Sequence, residues 1–270
     1  MFDNVLCFCQ FDCHRVKEMI PAERQRAILA LLSNQQVISI NELTQQLDVS
    51  HMTIRRDIAK LEADGRVMSV SGGVQLTESI HIELPHDDKI AKQREEKARI
   101  GQCAAEFIRP HTTIYLDAGT TTLEIAHQLT QRHDLTVITN DFAIAAYLMA
   151  NSDCALYHTG GKIDRFNQSC VGDKAASLLR ELNIDLAFVS TSSWNLRGIS
   201  TPSEDKVLVK RAIIAAAQSN YLVSDSSKYG RVAPFHAVDI SCFDKVITDP
   251  QFPQSCIQDF AERGVEVVIA

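Results

Sequence analysis

No stretch of the chain supplies the roughly 20 predominantly apolar residues that a membrane helix needs, so a spanning helix is excluded. The N-terminus, "MFDNVLCFCQFDCHRVKE", has no basic start, no long apolar run and no small-residue cleavage site. It is a poor secretory signal, and a cytoplasmic protein is expected. Positive charge is also short: 27 Lys and Arg stand against 34 Asp and Glu, for a net charge of -7. Nucleic acid or phosphate therefore cannot be held by bulk charge, only by local placement of a few cations. Aromatic residues are few, with a single tryptophan, Trp194. No Gly-Lys-Ser/Thr P-loop and no complete dinucleotide fingerprint is present, so ordinary nucleotide binding has no carrier. What remains, 45% apolar and 23% charged residues over 270 positions, fits a globular protein with one large domain or a small and a medium one.

Cysteine is not scarce. Cys103, Cys154, Cys170, Cys242 and Cys256 are scattered through apolar or mixed segments, as reduced thiols would be. Cys7, Cys9, Cys13 and His14 offer soft ligands for zinc, but their spacing matches no standard zinc module and no second ligand pair follows. No metal and no cofactor is expected. Residues 1–18 are expected to be a disordered extension, or to precede a start at Met19.

Met19 to Thr77 is electrically neutral, with six basic and six acidic residues. "PAERQRAILALLSNQQ" starts a helix at Pro21 and sets Ile28, Leu29, Leu31 and Leu32 on one side. Asn41 is expected to cap a second helix with Leu43 and Leu47 inward. Ser50 caps a third, in which Ile54, Ile58 and Leu61 recur on one face, and Gly65 ends it. "RVMSVSGGVQL" then forms a hairpin with Val67, Val70 and Val74 around Gly72-Gly73. Helix, helix, tight turn, helix and wing is a winged helix-turn-helix, in which the third helix enters the major groove of DNA by its N-terminal turns. Ser50, His51, Met52, Thr53, Arg55 and Arg56 occupy those turns, with Lys60 beyond them and Gly72 and Gly73 at the wing tip. Arginine reads guanine or grips phosphate, and serine and threonine hydroxyls bond phosphate at a helix N-terminus. The competing interpretation pairs Arg55 and Arg56 with Asp57 or Glu62 on a solvated face.

These residues, and the core "VS-x-x-TIRRD" above all, resemble the N-terminal domain of the DeoR family of bacterial transcriptional regulators. The resemblance implies a winged-helix domain over residues 21–76, with its helix-turn-helix at about 38–57, and repression of a sugar-metabolism operon.

Residues 77–92 read as a linker, and Lys89 to Arg109 as a helix burying Ile100, Ala104, Phe107 and Ile108. Over 93–270, strand-like runs at 113–117, 135–140, 154–161, 186–191, 221–225, 245–249 and 265–270 alternate with amphipathic segments. That alternation predicts an α/β domain, a Rossmann-like parallel sheet with helices on both faces and its site at the strand C-terminal ends. "YLDAGTTTLEIA" is the most informative end. Asp117 closes a strand, Gly119 allows a tight turn, and Thr120, Thr121 and Thr122 open a helix whose amides and hydroxyls form an anion cradle. The other strand ends bring Thr139, Asn140, Gly160, Gly161, Asp225 and Lys228, and Lys210 lies on a nearby helix. Lysines there would balance a phosphate.

"LDAGTTT…TVITND…GGK…VGDKA…LVSDSSKYG…ITD" resembles the DeoR sensor domain, so the likeness covers nearly all of the chain after Met19. It implies a fold similar to ribose-5-phosphate isomerase and a phosphorylated sugar or sugar-acid effector. The partners it implies are double-stranded operator DNA and further copies of the chain, as a dimer or tetramer. One loop departs from the family pattern: a Gly-rich acidic loop is expected after "LAFVS", and the sequence has "TSSWNLRGIS", where Trp194 would cover the ligand or meet a subunit. A sugar-phosphate isomerase with an accessory DNA-binding domain is the rival. It needs a carboxylate base, for which Asp117, Glu204 and Asp225 are the candidates, and they form no compact acidic cluster.

Overall fold

The computed structural model describes residues 19–35, 37–70 and 72–270. The expectations for residues 1–18, including the Cys7, Cys9, Cys13 and His14 group, lie outside the described residues. Among the described residues no helix is long and apolar enough to cross a membrane, and no cluster of three His, Cys, Asp or Glu residues could hold a metal.

Three helices open the chain: α1 (Pro21–Asn34), α2 (Ile40–Leu47) and α3 (His51–Ala63). The cap of α2 is Ser39, whose hydroxyl accepts the Glu42 amide at 3.1 Å, and not Asn41, so the helix starts two residues earlier. Strands β1 (Val67–Val70) and β2 (Gly73–Leu76) form the wing, and Ile38 bridges Val74 to make a third strand position. A side chain at Gly73 would meet the Ile38 carbonyl oxygen at 2.3 Å, so the wing closes on the helices only with glycine there. Ile28, Leu32, Ile38, Leu43, Ile54, Ile58, Leu61, Val67 and Val74 form one buried core.

Next come β3 (Glu78–Ser79), α4 (His86–Ile90) and α5 (Arg94–Ala105). The single helix expected over Lys89–Arg109 is broken at Gln93, whose φ of 49° no helix interior accommodates. Then β4 (Thr113–Leu116), α6 (Thr120–His127), β5 (Thr136–Thr139), α7 (Phe142–Asn151) and β6 (Ala155–His158) alternate. A small hairpin, β7 (Lys162–Asp164) and β8 (Ser169–Val171), precedes α8 (Asp173–Arg180) and β9 (Ile184–Val189). After β10 (Ser193–Asn195) and β11 (Gly198–Thr201) come α9 (Glu204–Ala216), β12 (Ala217–Val223), β13 (Arg231–Val232) and β14 (Phe235–Asp239). The chain closes with β15 (Lys245–Thr248), α10 (Ile257–Ala261) and β16 (Glu266–Ile269).

All seven expected strands form one parallel sheet in the order β16-β15-β12-β9-β4-β5-β6. Alternate residues of the strands face opposite layers. Ile114, Leu116, Leu186 and Phe188 pack with α5, α6 and α7 residues such as Ile100, Ile125 and Ile144. Tyr115, Ala187 and Val189 face the layer of Leu179, Val209, Ile213 and Phe260. The chain works outward from β4 through β5 to β6, then returns beside β4 at β9 and works outward the other way. The order therefore reverses between β4 and β9, which opens a crevice at their C-terminal ends.

The linker expected at 77–92 is instead docked on the α/β domain. β3 pairs in parallel with β13, the Ile80 amide donates to Val232 O at 2.8 Å, and the His86 amide donates to Phe166 O at 2.8 Å. Its charged residues find partners about 80 to 120 positions away in sequence, which local composition could not show.

Candidate functional site

Two sites take shape. On α3, the Ser50 hydroxyl accepts the Thr53 amide at 3.2 Å and lies 2.9 Å from the Thr53 hydroxyl. Ile54, Asp57 and Ile58 turn inward, leaving His51, Met52, Arg55, Arg56 and Lys60 exposed. Neither acid offered as a partner for the arginines is free. Asp57 is buried and pairs with the Arg24 side chain from α1, and it also accepts Gln25 at 3.1 Å. Glu62 accepts the Ser69 amide at 2.5 Å. Gly72 lies at the wing turn with φ of 93°, beside Gly73. The exposed face of α3 thus carries three cations next to the wing, an arrangement suited to a polyanion.

The second site is the crevice between β4 and β9. Asp117, Gly119, Thr120, Thr121, Asn140, Lys210 and Lys228 line it, as expected. Asp117 accepts the Ser190 amide at 3.0 Å and is ion-paired to Lys210, which also donates to Ser190 O at 2.6 Å. One acid and one lysine thereby fasten the end of β9 to the end of β4. A side chain at Gly119 would meet the Ser190 hydroxyl oxygen at 2.5 Å, so only glycine lets the two strand ends approach. Asn140 accepts from the Tyr115 hydroxyl at 2.7 Å and from the Ala118 amide at 3.0 Å. Asp141 caps α7 through the Ile144 amide and accepts the Gly119 amide at 3.1 Å. Burial pushes its carboxyl up to about 6, against those amides.

Five expected residues stand elsewhere. Thr122 is fully buried and its hydroxyl donates to Asp117 O at 2.6 Å, capping the turn from inside. Thr139 donates to Leu116 O at 2.7 Å, stitching β5 to β4. Gly160 and Gly161 shape the turn before β7, with φ of 62° and 119°, and do not line the crevice. Asp225 is ion-paired to Lys228 at 3.0 Å and lines a neighbouring hollow. Burial raises its carboxyl, but Lys228 outweighs that and holds it below the usual range. Trp194 neither covers the crevice nor reaches the surface: it is fully buried against Tyr229, Phe252 and Phe260.

Several lining residues escaped the sequence reasoning. Glu83, His86 and Lys89 from the docked segment line the crevice together with Asn167, Ser169, Thr201 and Lys206, and Ser192 from the loop after β9 joins them. Glu83 accepts from Lys206 at 2.7 Å, Lys89 at 3.2 Å, Ser192 at 3.1 Å and Thr201 at 3.4 Å. Burial disfavours its ionisation, but the Lys206 and Lys89 ammonium groups outweigh burial and hold the carboxyl at about 2. Lys206 could have been found from sequence, one helical turn before Lys210; Glu83 gave no local signal.

Several polar atoms here are buried and make no hydrogen bond within the protein. They are both ring nitrogens of His86, the Thr121 hydroxyl and the Ser169 hydroxyl. Buried polar groups are otherwise almost always satisfied, so three such side chains around one crevice mark a place for a polar guest.

Fold and sites together define a class: a DNA-reading winged helix joined to an α/β domain with a polar crevice at its strand ends. Residues 24–80 match the DeoR-like helix-turn-helix domain, and residues 92–250 match the DeoR C terminal sensor domain. The chain belongs to the DeoR family of transcriptional regulators. It is 56% identical to an HTH-type transcriptional regulator of Haemophilus influenzae, over 94% of this chain and 99% of that one. It is 50% identical to the HTH-type regulator YgbI of Escherichia coli K12, over 93% and 99%. The glycerol-3-phosphate regulon repressor of the same bacterium is 30% identical over 92% and 99%.

Proposed function

We propose that the protein represses a sugar or sugar-acid catabolic operon and that a phosphorylated effector bound in the β4–β9 crevice controls it. It would act in the cytoplasm as a homo-oligomer, dimer or tetramer, setting two or more α3 helices on repeated half-sites. Arg55, Arg56 and Lys60 would meet operator DNA directly, and Ser50, His51, Met52 and Thr53 would approach it at the first turn. The wing at Gly72-Gly73 would follow the adjacent backbone.

One observation carries the effector assignment: the unpartnered Thr121 and Ser169 hydroxyls and the His86 ring stand beside the N-terminus of α6. Amides at a helix start, hydroxyls and an imidazole suit a phosphate. Binding without turnover fits the carboxylates better than isomerisation does. A base that takes a proton from a sugar carbon needs a free carboxylate near neutral pKa. Asp117 is committed to Lys210, Glu83 is held at about 2, and Asp141, raised to about 6, is spent on the Ile144 and Gly119 amides.

The test is a gel-shift titration on DNA upstream of the protein's own and neighbouring genes, repeated with phosphorylated and unphosphorylated sugars and sugar acids. Specific binding changed only by a phosphorylated compound is the expected result. Turnover of a panel compound without specific DNA binding would put the isomerase first.

A further inference from the structure

The enclosed part of the crevice has a free volume of about 60 Å³, room for a few waters. Seating a larger guest there asks a lining group to give way, and the groups around the crevice differ in how they are held. Asp117, Gly119, Asn140 and Ser190 are tied to one another across the central strands. Glu83 is not. It sits in the irregular stretch between β3 and α4, flanked by exposed Ile82 and partly exposed Leu84. Its backbone neighbours make few ties, and its side chain alone reaches into the crevice.

What that side chain finds there is a carboxylate site. Two lysines and two hydroxyls from four separate places in the fold converge on Glu83. The charge balance points the same way. Lys89, Lys206, Lys210 and Lys228 are matched by Glu83, Asp117, Asp225 and Asp164, the last 3.7 Å from Lys206. Withdrawing Glu83 leaves one positive charge unmatched in a buried crevice, which costs free energy unless another anion takes its place.

Resting on the effector assignment above, we infer that Glu83 stands in for a carboxylate of the effector itself. The ligand is then a phosphorylated sugar acid, anionic at both ends. Its phosphate lies at Thr120 and Thr121, and its carboxylate takes Lys206, Lys89, Ser192 and Thr201 in exchange for Glu83. A phosphorylated sugar with a neutral tail fills only the first half and leaves Glu83 in place. The exchange also releases residues 81–85, which follow β3, the strand that joins the wing to the α/β domain, so ligand chemistry would reach the DNA-reading domain through that strand.

The test uses matched pairs on the full-length protein: the 4-, 5- and 6-carbon aldonic acid phosphates against the alditol phosphates of the same length, by calorimetry. Glu83→Gln keeps the shape and removes the competing charge. For the chain length that binds, the acid is expected to bind at least fivefold tighter to Glu83→Gln than to the wild type, and the alditol to change less than twofold. Hydrogen exchange of the peptide covering residues 80–90 is expected to rise with the acid and not with the alditol. Equal changes for both compounds, or weaker acid binding to the variant, would make Glu83 a structural ion-pair partner and overturn the inference alone. Binding of neither series to either form would remove the effector assignment and the inference with it. Should Glu83→Gln not fold, Glu83→Asp, whose carboxylate is drawn back by one methylene, is expected to give the same acid-selective gain, and its absence counts against the inference equally.

Discussion

The reading head and the sensor domain treat positive charge in opposite ways. On α3, Arg55, Arg56 and Lys60 are exposed, and the acids that could have neutralised them are committed to Arg24 and to the Ser69 amide. In the sensor crevice every lysine is largely buried and lies against a carboxylate: Lys210 on Asp117, Lys206 and Lys89 on Glu83, Lys228 on Asp225. A surface for a long polyanion gains from unpaired cations, because bound counterions are released on contact. A buried crevice cannot keep cations unpaired and dry, so each of its lysines lies against a carboxylate of the protein. The overall charge of -7 is compatible with DNA binding for this reason: the acids of α3 itself, Asp57 and Glu62, are engaged by Arg24 and the Ser69 amide and do not neutralise its exposed cations.

The contrast can be broken most severely at the buried pairs. Lys210→Met leaves Asp117 buried without its counterion, and Asp57→Ala does the same to Arg24; each is expected to cost about 3–5 kcal/mol in urea unfolding. Losses below about 1 kcal/mol would show that these pairs behave as surface ones. Replacing both Arg55 and Arg56 with Ala is expected to leave stability almost untouched. It should weaken operator binding about a hundredfold or more and reduce the salt slope by about 2. An unchanged slope in the double variant would take phosphate contact away from these arginines.

Acid pH offers a gentler handle on the same contrast. The folded pKa of Glu83 is held at about 2, below its ordinary 4.5. Its ion pairs therefore stabilise the fold fully above about pH 4.5, and that contribution is lost as pH falls toward 2. The wild type should lose stability over that window more steeply than Glu83→Gln; parallel curves would mean that Lys89 and Lys206 do not depress it. The smallest expected effect is at Thr121. Thr121→Val removes only an unpartnered hydroxyl, so stability should hold while affinity for inorganic phosphate falls about fivefold, the worth of a hydrogen bond near 1 kcal/mol. Unaltered phosphate affinity would move the phosphate away from the start of α6.

Much of this was legible in the residues. The repeat of Ile54, Ile58 and Leu61, the cap at Ser50 and the glycines of the wing determined the helix-turn-helix, because side-chain period and capping are local properties. Alternating runs determined the parallel sheet, and with it a site at the strand ends. Asp117, Gly119, Thr120, Thr121, Asn140, Lys210 and Lys228 followed from that rule. The same rule overreached at Thr122 and Thr139, whose hydroxyls turn into the packing, at Gly160 and Gly161, which shape an outer turn, and at Asp225, which lines the neighbouring hollow. Trp194 was misplaced for a similar reason, since a lone tryptophan in a polar loop carries no mark of the Phe252 and Phe260 rings it meets.

The sequence by itself determined two domains, a DNA-reading helix and a parallel sheet with a cradle at the start of α6. Only the tertiary structure decided that residues 77–92 are no free linker, that Asp57 belongs to Arg24, and that Glu83 fills the site built from Lys89, Lys206, Ser192 and Thr201. Apart from Lys89, which lies near Glu83 in the chain, these partners meet across 33 to 123 positions. A pattern of neighbours carries no term for such distances, and a buried charge finds its partner only once the sheet has brought the strand ends together.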